Sequence, residues 1–221
     1  LAGGRGSRLD PYTRILPKPL FPIKDQPIAS ILIQQLKECG VEEVVMCLGY
    51  LAGLLETYFG DGSQYGLKIR YTVESEPLGT AGPLKKVKNL RDNFLVVNGD
   101  ELTTLDFRKL YEHHMQHEAD LTVAVQMKTT QSSFGVLEIK DGKVVAYREK
   151  PTQNYWASMG IYVVNKKNLA YIPENKSFDM PDLVQILLEK GKKVISYESQ
   201  DLWFDIGTFA DLEKAKEQWE K

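Results

Sequence analysis

Glycine and basic residues are concentrated in the first 19 residues of the chain. The glycines leave backbone N–H groups free to face an anion, and the basic side chains add positive charge. Pro17 and Pro19 bracket Lys18 and restrict the backbone on both sides of it. The glycines are Gly3, Gly4 and Gly6, and the basic residues are Arg5, Arg8, Arg14 and Lys18. This combination predicts a site for a polyphosphate.

Two common phosphate-binding motifs do not fit this segment. A P-loop requires Gly-Lys-Ser/Thr at the start of a helix, and the dinucleotide fingerprint requires a third glycine where Leu9 stands. Both motifs also lead directly into a helix, which Pro11, Pro17 and Pro19 forbid. The segment is therefore expected to bind phosphate groups as an irregular loop.

Two carboxylates follow strand-like segments elsewhere in the chain. Asp100 comes shortly after the apolar run 94–97, at the end of a strand where ligands bind in open α/β sheets. Asp205 stands between apolar residues just before a predicted helix. Each aspartate alone is equally compatible with a turn or a helix cap. The position of Asp100 at the end of a strand nevertheless makes it a candidate metal ligand, since carboxylate oxygens suit Mg²⁺.

Alternating strand and helix patterns predict an α/β fold around these residues. The later part is richer in strands, with a hairpin around Asp141-Gly142, and predicts a second, β-rich lobe. Predicted helices cover residues 27–39, 51–59, 80–90, 105–117, 179–188 and 208–219. Predicted strands cover residues 44–48, 67–73, 94–97, 121–126, 135–139, 144–147, 160–164, 194–197 and 203–206. Leu1-Ala2-Gly3-Gly4 has the pattern of a buried strand entering a loop, so we expect the first strand to be truncated upstream of Leu1.

The composition limits the classes of partner that the protein is expected to bind. The chain has 221 residues, a formal net charge of −2 and no long Lys/Arg block, which argues against nucleic acid. Apolar runs fall short of a membrane span, so we expect a soluble, cytoplasmic protein without a membrane partner. Cys39 and Cys47 are expected to be free thiols. His113, His114 and His117 lie on a predicted helix, with His113 and His117 four residues apart, but a solvated helix face explains them better than a metal site.

The opening segment, Gly-Gly-x-Gly-Ser-Arg-Leu-x-Pro-x-Thr-x-x-x-Pro-Lys-Pro, resembles the signature of the sugar-1-phosphate nucleotidyltransferases. The resemblance covers essentially the whole chain. It implies a Rossmann-like, doubly wound mixed sheet with a small β-rich sugar-binding lobe. We expect a single domain, 1–221, with a nucleotide-binding half at about 1–130 and a sugar-phosphate-binding half at about 131–221.

The resemblance also implies roles for the opening segment and the two aspartates. Arg8 and Lys18 would neutralise charge on the α-phosphate and the departing pyrophosphate, as catalytic residues. Asp100 and Asp205 would share Mg²⁺, the expected cofactor. The residues expected to surround the nucleotide are Leu1, Ala2, Gly3, Gly4, Gly6 and Ser7.

Residues 74–82, Glu-Ser-Glu-Pro-Leu-Gly-Thr-Ala-Gly, resemble the base-recognition loop of the family, with Glu74, Pro77, Gly79 and Thr80 as expected nucleotide contacts. A carboxylate can accept the adjacent N1–H and N2–H₂ donors of guanine, whereas the carbonyls flanking the uracil or thymine N3–H would repel it. Glu74 therefore favours GTP, and the loop resembles the mannose- and heptose-1-phosphate guanylyltransferase branch. The alternative is that Glu74 ends a strand in solvent.

Two further segments resemble the sugar-phosphate site of the family. Glu149 and Lys150 match its Glu-Lys-Pro element, in which glutamate binds sugar hydroxyls and lysine binds the phosphate of the sugar. Gly135, Ser158 and Gly160 match strand ends that contact the sugar. Ser158 replaces the usual asparagine and reaches less far, which points to an unusual sugar.

The expected reaction joins a nucleoside triphosphate to a sugar 1-phosphate and releases pyrophosphate. Two alternatives remain: a thymidylyl- or uridylyltransferase acting on glucose 1-phosphate, and a non-catalytic subunit that senses nucleotide-sugars. The sequence leaves open which sugar is bound and whether the protein forms a homo-oligomer.

Overall fold

Twelve strands and five α-helices alternate along residues 1–219, which are the residues described by the computed structural model. The strands are β1 (Pro22–Ile23), β2 (Gln26–Pro27), β3 (Glu43–Leu48), β4 (Lys68–Val73), β5 (Asn93–Val97), β6 (Glu101–Thr103), β7 (Leu121–Gln131), β8 (Val136–Lys140), β9 (Lys143–Arg148), β10 (Thr152–Asn165), β11 (Val194–Glu198) and β12 (Trp203–Asp205). The helices are α1 (Ile28–Glu38), α2 (Ala52–Phe59), α3 (Phe107–Gln116), α4 (Met180–Glu189) and α5 (Phe209–Gln218).

The largest sheet is mixed and has the strand order β11-β7-β10-β5. β11 runs parallel to β7, whereas β10 is antiparallel to both β7 and β5. β3 and β4 form a separate parallel pair, and β6 pairs with β12 in antiparallel fashion. The expected mixed α/β fold is therefore confirmed.

Leu1 and Ala2 link the β3–β4 pair to the large sheet. The backbone of Leu1 bonds to Val97 and Gly99 beside β5, and Ala2 forms a parallel bridge with Leu48 of β3. A cavity of about 780 Å³ extends between the same two strands and is lined largely by apolar side chains of α1, β3 and β5. The start of the opening segment is thus held between the β3–β4 pair and the large sheet.

The β-rich lobe consists of the β8–β9 hairpin and the adjoining ends of β7 and β10. Asp141 and Gly142 both have positive φ angles, of 51° and 75°, as a tight hairpin turn requires. β10 runs for 14 residues, from the exposed lobe at Thr152 into the buried sheet, so one continuous strand connects the lobe to the core.

Several sequence predictions need correction. The helix expected over residues 80–90 is only a short 3-10 helix, Gly82–Lys86, because the chain becomes extended at Val87 and Asn89 has a positive φ of 59°. The short strands β1, β2 and β6 were not predicted. β7 and β10 are longer than predicted, and β10 begins at Thr152 rather than at residue 160. The other predicted helices and strands are present, with ends that shift by a few residues. His114 does not lie on a solvated helix face: it is buried and bonded to Thr122 and Asn93. No helix within residues 1–219 is long and apolar enough to cross a membrane.

Candidate active site

The opening loop is irregular, as the prolines predict. It contains three short 3-10 helices, Ser7–Leu9, Tyr12–Arg14 and Lys18–Leu20. The loop is anchored from beneath, because Leu9 and Thr13 are fully buried. Gly4 and Ser7, by contrast, are exposed. The loop therefore presents its glycine-rich backbone to solvent while its apolar residues fix its path.

Lys18 lies at the centre of the site. Its side chain is only 9% exposed, and its ammonium forms an ion pair with Asp100. The ammonium is also 4.0 Å from Oδ1 of Asp205. The structure thus brings together the loop lysine and both aspartates that the sequence singled out, although they are more than 80 residues apart along the chain.

Strand pairing explains why the two aspartates converge. Asp205 lies opposite Glu101 in the β6–β12 pair, and Asp100 directly precedes Glu101. The chain after Asp205 is fixed by the start of α5, where Thr208 and Asp211 form a capping box. Both carboxylates are therefore positioned by regular structure.

Glu101 is a buried acidic residue that the sequence analysis did not select. It is 3% exposed and accepts a hydrogen bond from Nε1 of Trp203 at 2.7 Å. Burial, with the neighbouring charge of Asp100, raises the pKa of Glu101 to about 8. The Asp-Glu pair at the end of a strand could have drawn attention to it, but its burial could not be read from the sequence.

Arg8 lies against the segment that carries Asp205. A Cβ on Gly207 would lie 2.9 Å from Nη1 of Arg8, so a larger residue here would displace the guanidinium from its present position. Tyr12 contacts Phe209 at the start of α5, with ring centroids 5.2 Å apart. The opening loop and the Asp205 segment therefore hold one another in place.

Glu74 is half-buried beside the start of the opening loop. A Cβ on Gly3 would lie 2.7 Å from its Oε1, and Gly49 borders the same carboxylate. The backbone N–H of Leu78 donates to Oε2 at 3.2 Å, and burial raises the pKa of Glu74. The structure thus places Glu74 beside the opening loop rather than at a free strand end.

The rest of residues 74–82, called the base loop below, is held by the segment before α4. Thr80 bonds to Asp179 through both its backbone N–H and its hydroxyl, while Pro77 remains exposed. Gly79, with φ of 76°, lies directly against the backbone of Phe178. Thr80 is therefore engaged inside the protein rather than presenting a free hydroxyl.

The residues expected to bind the sugar phosphate fall into two groups. Glu149 and Lys150 lie on the lobe, where Glu149 accepts a hydrogen bond from the hydroxyl of Tyr147 and the Lys150 carbonyl accepts one from Gln131. Gly135 lies against the same tyrosine ring. These contacts stay within the lobe and do not connect Glu149 or Lys150 to Lys18.

Ser158 and Gly160, in contrast, lie on β10 where the strand passes from the exposed lobe into the buried sheet: Ser158 is exposed and Gly160 is buried. The carbonyl of Gly160 accepts from Asn98 at 3.1 Å, and a Cβ on Gly160 would collide with Asn98 and Glu101. Ser158 Oγ is 3.1 Å from the hydroxyl of the buried Tyr162. Gly160 therefore lies against the residues that follow β5, Asn98 and Glu101.

The carboxylates of this site suit a divalent cation whose remaining coordination positions are filled by a bound ligand. Within residues 1–219, no group of three or more His, Cys, Asp and Glu side chains forms a metal cage. Asp100 and Asp205 nevertheless converge on one cation, the Lys18 ammonium, and both remain partly exposed. Two accessible carboxylates fit Mg²⁺, which commonly retains waters and completes its coordination with substrate phosphates.

A glycine-rich loop whose lysine faces two carboxylates, on a mixed α/β fold, defines a nucleotide-binding transferase. The sequence profile of the nucleotidyl transferase family matches residues 1–221. The chain is 34% identical over 223 residues to the D-glycero-alpha-D-manno-heptose 1-phosphate guanylyltransferase of Aneurinibacillus thermoaerophilus, covering 99% of this chain and 96% of that protein. The chain belongs to this family and is an enzyme of the nucleotidyltransferase class.

Other relatives agree with this assignment. Mannose-1-phosphate guanylyltransferase of Mycobacterium tuberculosis is 33% identical over 221 residues, and the match spans 96% of this chain but 61% of that longer protein. The crystal structure of HddC from Yersinia pseudotuberculosis complexed with GMP-PN has a TM-score of 0.76 and 26% identity, covering 98% of this chain and 96% of that one. The family expected from the opening motif is therefore confirmed.

Proposed function

We propose that the enzyme transfers GMP from GTP to a sugar 1-phosphate, with release of pyrophosphate. The convergence of Lys18, Asp100 and Asp205 under the glycine-rich loop is the observation that carries this proposal. A phosphate oxygen of the sugar 1-phosphate would attack the α-phosphorus in line. Because that phosphate is largely ionised at neutral pH, no side chain is required as a general base.

Electrostatic stabilisation by fixed groups then supplies most of the catalysis. Lys18, held by the two prolines and buried against Asp100, would neutralise charge on the α-phosphate and the leaving pyrophosphate. Arg8, packed over Gly207, would add a second positive charge from the other side of the loop. Both cations are positioned before substrate arrives, so little reorganisation is needed during the reaction.

Asp100 and Asp205 would hold Mg²⁺, which would neutralise phosphate charge when bound. The protein supplies these two partly exposed carboxylates at positions fixed by the β6–β12 pairing, and it keeps the third, Glu101, buried. Lys18 lies beside the same two aspartates, so its ammonium would be within reach of the phosphate oxygens of a bound triphosphate.

The position of Glu74 supports guanine as the base. Its carboxylate borders Gly3, so a nucleotide whose phosphates lie on the loop would bring its base near this side chain. Oε2 accepts one hydrogen bond from Leu78 and retains capacity for more. The names of the guanylyltransferase relatives point the same way.

The sugar-binding role falls on the lobe and on β10. Glu149 and Lys150 are exposed and mutually adjacent, as binding of sugar hydroxyls and a phosphate would require. Ser158 shares its hydrogen bond with Tyr162, which leaves a shorter polar group facing the sugar than an asparagine would. These contacts do not distinguish one sugar from another, and the names of the relatives are what lead us to propose a mannose- or heptose-type sugar 1-phosphate.

Pyrophosphate release tests this proposal directly. The enzyme is incubated with Mg²⁺, mannose or heptose 1-phosphate, and each of GTP, dTTP, UTP, CTP and ATP in turn. Highest release with GTP supports the proposal. A preference for dTTP or UTP contradicts the assignment of Glu74 and directs the search to glucose 1-phosphate. Binding of nucleotide without turnover of any sugar favours a sensing role.

The variant Glu74→Gln sharpens the test of the base. An amide offers one donor and one acceptor edge, so it suits uracil and thymine better than guanine. We expect the ratio of kcat/KM for GTP over UTP to fall about tenfold, which corresponds to the loss of one good hydrogen bond to a charged group. Glu76→Gln, a neighbouring exposed carboxylate, is the matched control. An unchanged ratio in Glu74→Gln rules out Glu74 as the base reader.

A further inference from the structure

The base loop and the segment before α4 are joined by an unusually dense set of hydrogen bonds. The backbone N–H groups of Ala81 and Gly82 both donate to the carbonyl of Phe178, at 2.9 and 3.0 Å. The backbone N–H of Phe178 donates in return to the carbonyl of Leu78 at 2.9 Å. These bonds connect parts of the chain that lie almost 100 residues apart.

Asp179 makes the side-chain part of this connection. Its Oδ1 accepts from the backbone N–H of Thr80 at 2.8 Å and from the Thr80 hydroxyl at 3.1 Å. The hydroxyl oxygen of Thr80 in turn accepts from the backbone N–H of Met180 at 2.8 Å. Thr80 is thereby tied both to the residue that precedes α4 and to the first residue of that helix.

We propose that Asp179 is a positioning residue for the nucleotide: it fixes the base loop through Thr80 and so sets nucleotide affinity and base selection. This inference rests on the proposed function, because it assumes that Glu74 and its loop read the base. Asp179 itself need not touch the nucleotide. Its role is to keep residues 78–82 in the single conformation that leaves the Leu78 N–H bonded to Glu74.

The two ends of the loop support this reading. The loop begins at Glu74, whose carboxylate accepts from Leu78, and it continues directly to the residues held by Phe178 and Asp179. Release of Thr80 would leave this part of the loop held only by the backbone of Phe178, and so loosen Leu78, one partner of the Glu74 carboxylate. A loop that occupies the competent conformation for a fraction of the time binds its ligand more weakly by that same fraction.

The start of α4 also offers a matched control. Asp179 and Asp182 form a capping box, in which Oδ2 of Asp182 accepts from the backbone N–H of Asp179 at 2.9 Å. Replacing either residue weakens the cap of α4, but Asp179 alone contacts Thr80. Asp182→Ala therefore reproduces the damage to the helix without removing the side chain that holds the loop.

The experiment compares Asp179→Ala, Asp179→Asn and Asp182→Ala with the wild-type enzyme. Amide hydrogen exchange over residues 78–82 is measured on the free protein, and dissociation constants for Mg-GTP and Mg-UTP are measured by calorimetry. In Asp179→Ala we expect exchange at these amides to accelerate, affinity for GTP to fall about tenfold, and the preference for GTP to shrink. Asparagine keeps an oxygen acceptor for Thr80 and should restore both properties.

Each outcome decides the inference. Slow exchange in Asp179→Ala, or fast exchange with unchanged GTP affinity, overturns it. Equal loss in Asp182→Ala also overturns it, because the effect would then belong to the stability of α4. Turnover is judged separately: a wild-type enzyme that binds GTP but transfers it to no sugar defeats the proposed reaction, while the binding and exchange data still decide the role of Asp179.

Discussion

Replacing Lys18 by methionine should abolish most of the turnover while leaving the fold intact. Methionine keeps much of the length and apolar stem of lysine but carries no charge. A phosphate oxygen at the 4.0 Å that now separates Nζ from Asp205 would interact with the ammonium by about 4 kcal/mol at an effective dielectric constant of about 20. If this attraction develops in the transition state, its loss lowers kcat about a thousandfold.

The same variant separates a catalytic role from a structural or metal-binding one. Asp100 and Asp205 are 28% and 53% exposed, so loss of the ion pair should cost only about 1 kcal/mol of unfolding free energy. Removing a cation from between two carboxylates should not weaken Mg²⁺ binding. Urea unfolding and the Mg²⁺ dependence of the rate check both expectations.

Lys24→Met is the control for this experiment, because Lys24 is an exposed lysine in the turn between β1 and β2. It should retain wild-type kcat. The reasoning fails if Lys18→Met keeps kcat within tenfold of the wild-type value at saturating substrates. It also fails if excess Mg²⁺ fully restores the rate, since the lysine would then act only through the metal site.

Three further predictions concern residues around the site and in the core. Gly207→Ala should push the Arg8 guanidinium aside and lower kcat by about 10- to 100-fold without a change in thermal stability; a normal kcat would contradict it. Tyr147→Phe removes the donor to Glu149, so the KM for sugar 1-phosphate should rise severalfold while the KM for the nucleotide stays constant. Burial lowers the pKa of His114, so the folded protein favours neutral imidazole, and stability should fall as pH drops below about 6.5. Urea midpoints at pH 7.5 and 5.5 should show a smaller fall in His114→Gln than in wild type, and parallel behaviour would refute the assignment.

The sequence was sufficient to select Lys18, Asp100 and Asp205, which the structure brings together. Lys18 between two prolines, and aspartates at strand ends, are local patterns that can be recognised without knowledge of the tertiary structure. Their convergence followed from the strands that carry them, as the β6–β12 pairing shows. The pairing partner itself was not predictable, because β6 has only three residues and no periodicity to reveal it.

The sequence could not show which polar side chains are buried or which distant residues come into contact. Glu101 looks like an ordinary acidic residue after Asp100, yet the indole of Trp203 covers it and accounts for one of its oxygens. The partner lies 102 residues away, so no local pattern could relate the two. The same holds for Gly207, whose role depends on where the Arg8 guanidinium lies.

The failed prediction of a helix at residues 80–90 is the most informative of these differences. The segment has a helical pattern, and Pro83 is acceptable in a first turn. In the structure, however, the backbone N–H groups of Thr80, Ala81 and Gly82 bond to Asp179 and Phe178, and the chain becomes extended at Val87 after a short 3-10 helix. Local preference is thus overridden where the chain must hold a loop in a fixed shape. Such conflicts between local preference and tertiary structure are expected at functional sites, because elsewhere in a natural protein the local preferences of the sequence tend to match the tertiary structure. The mismatch is independent of any similarity to relatives, and it falls on the loop that the base-recognition argument selects.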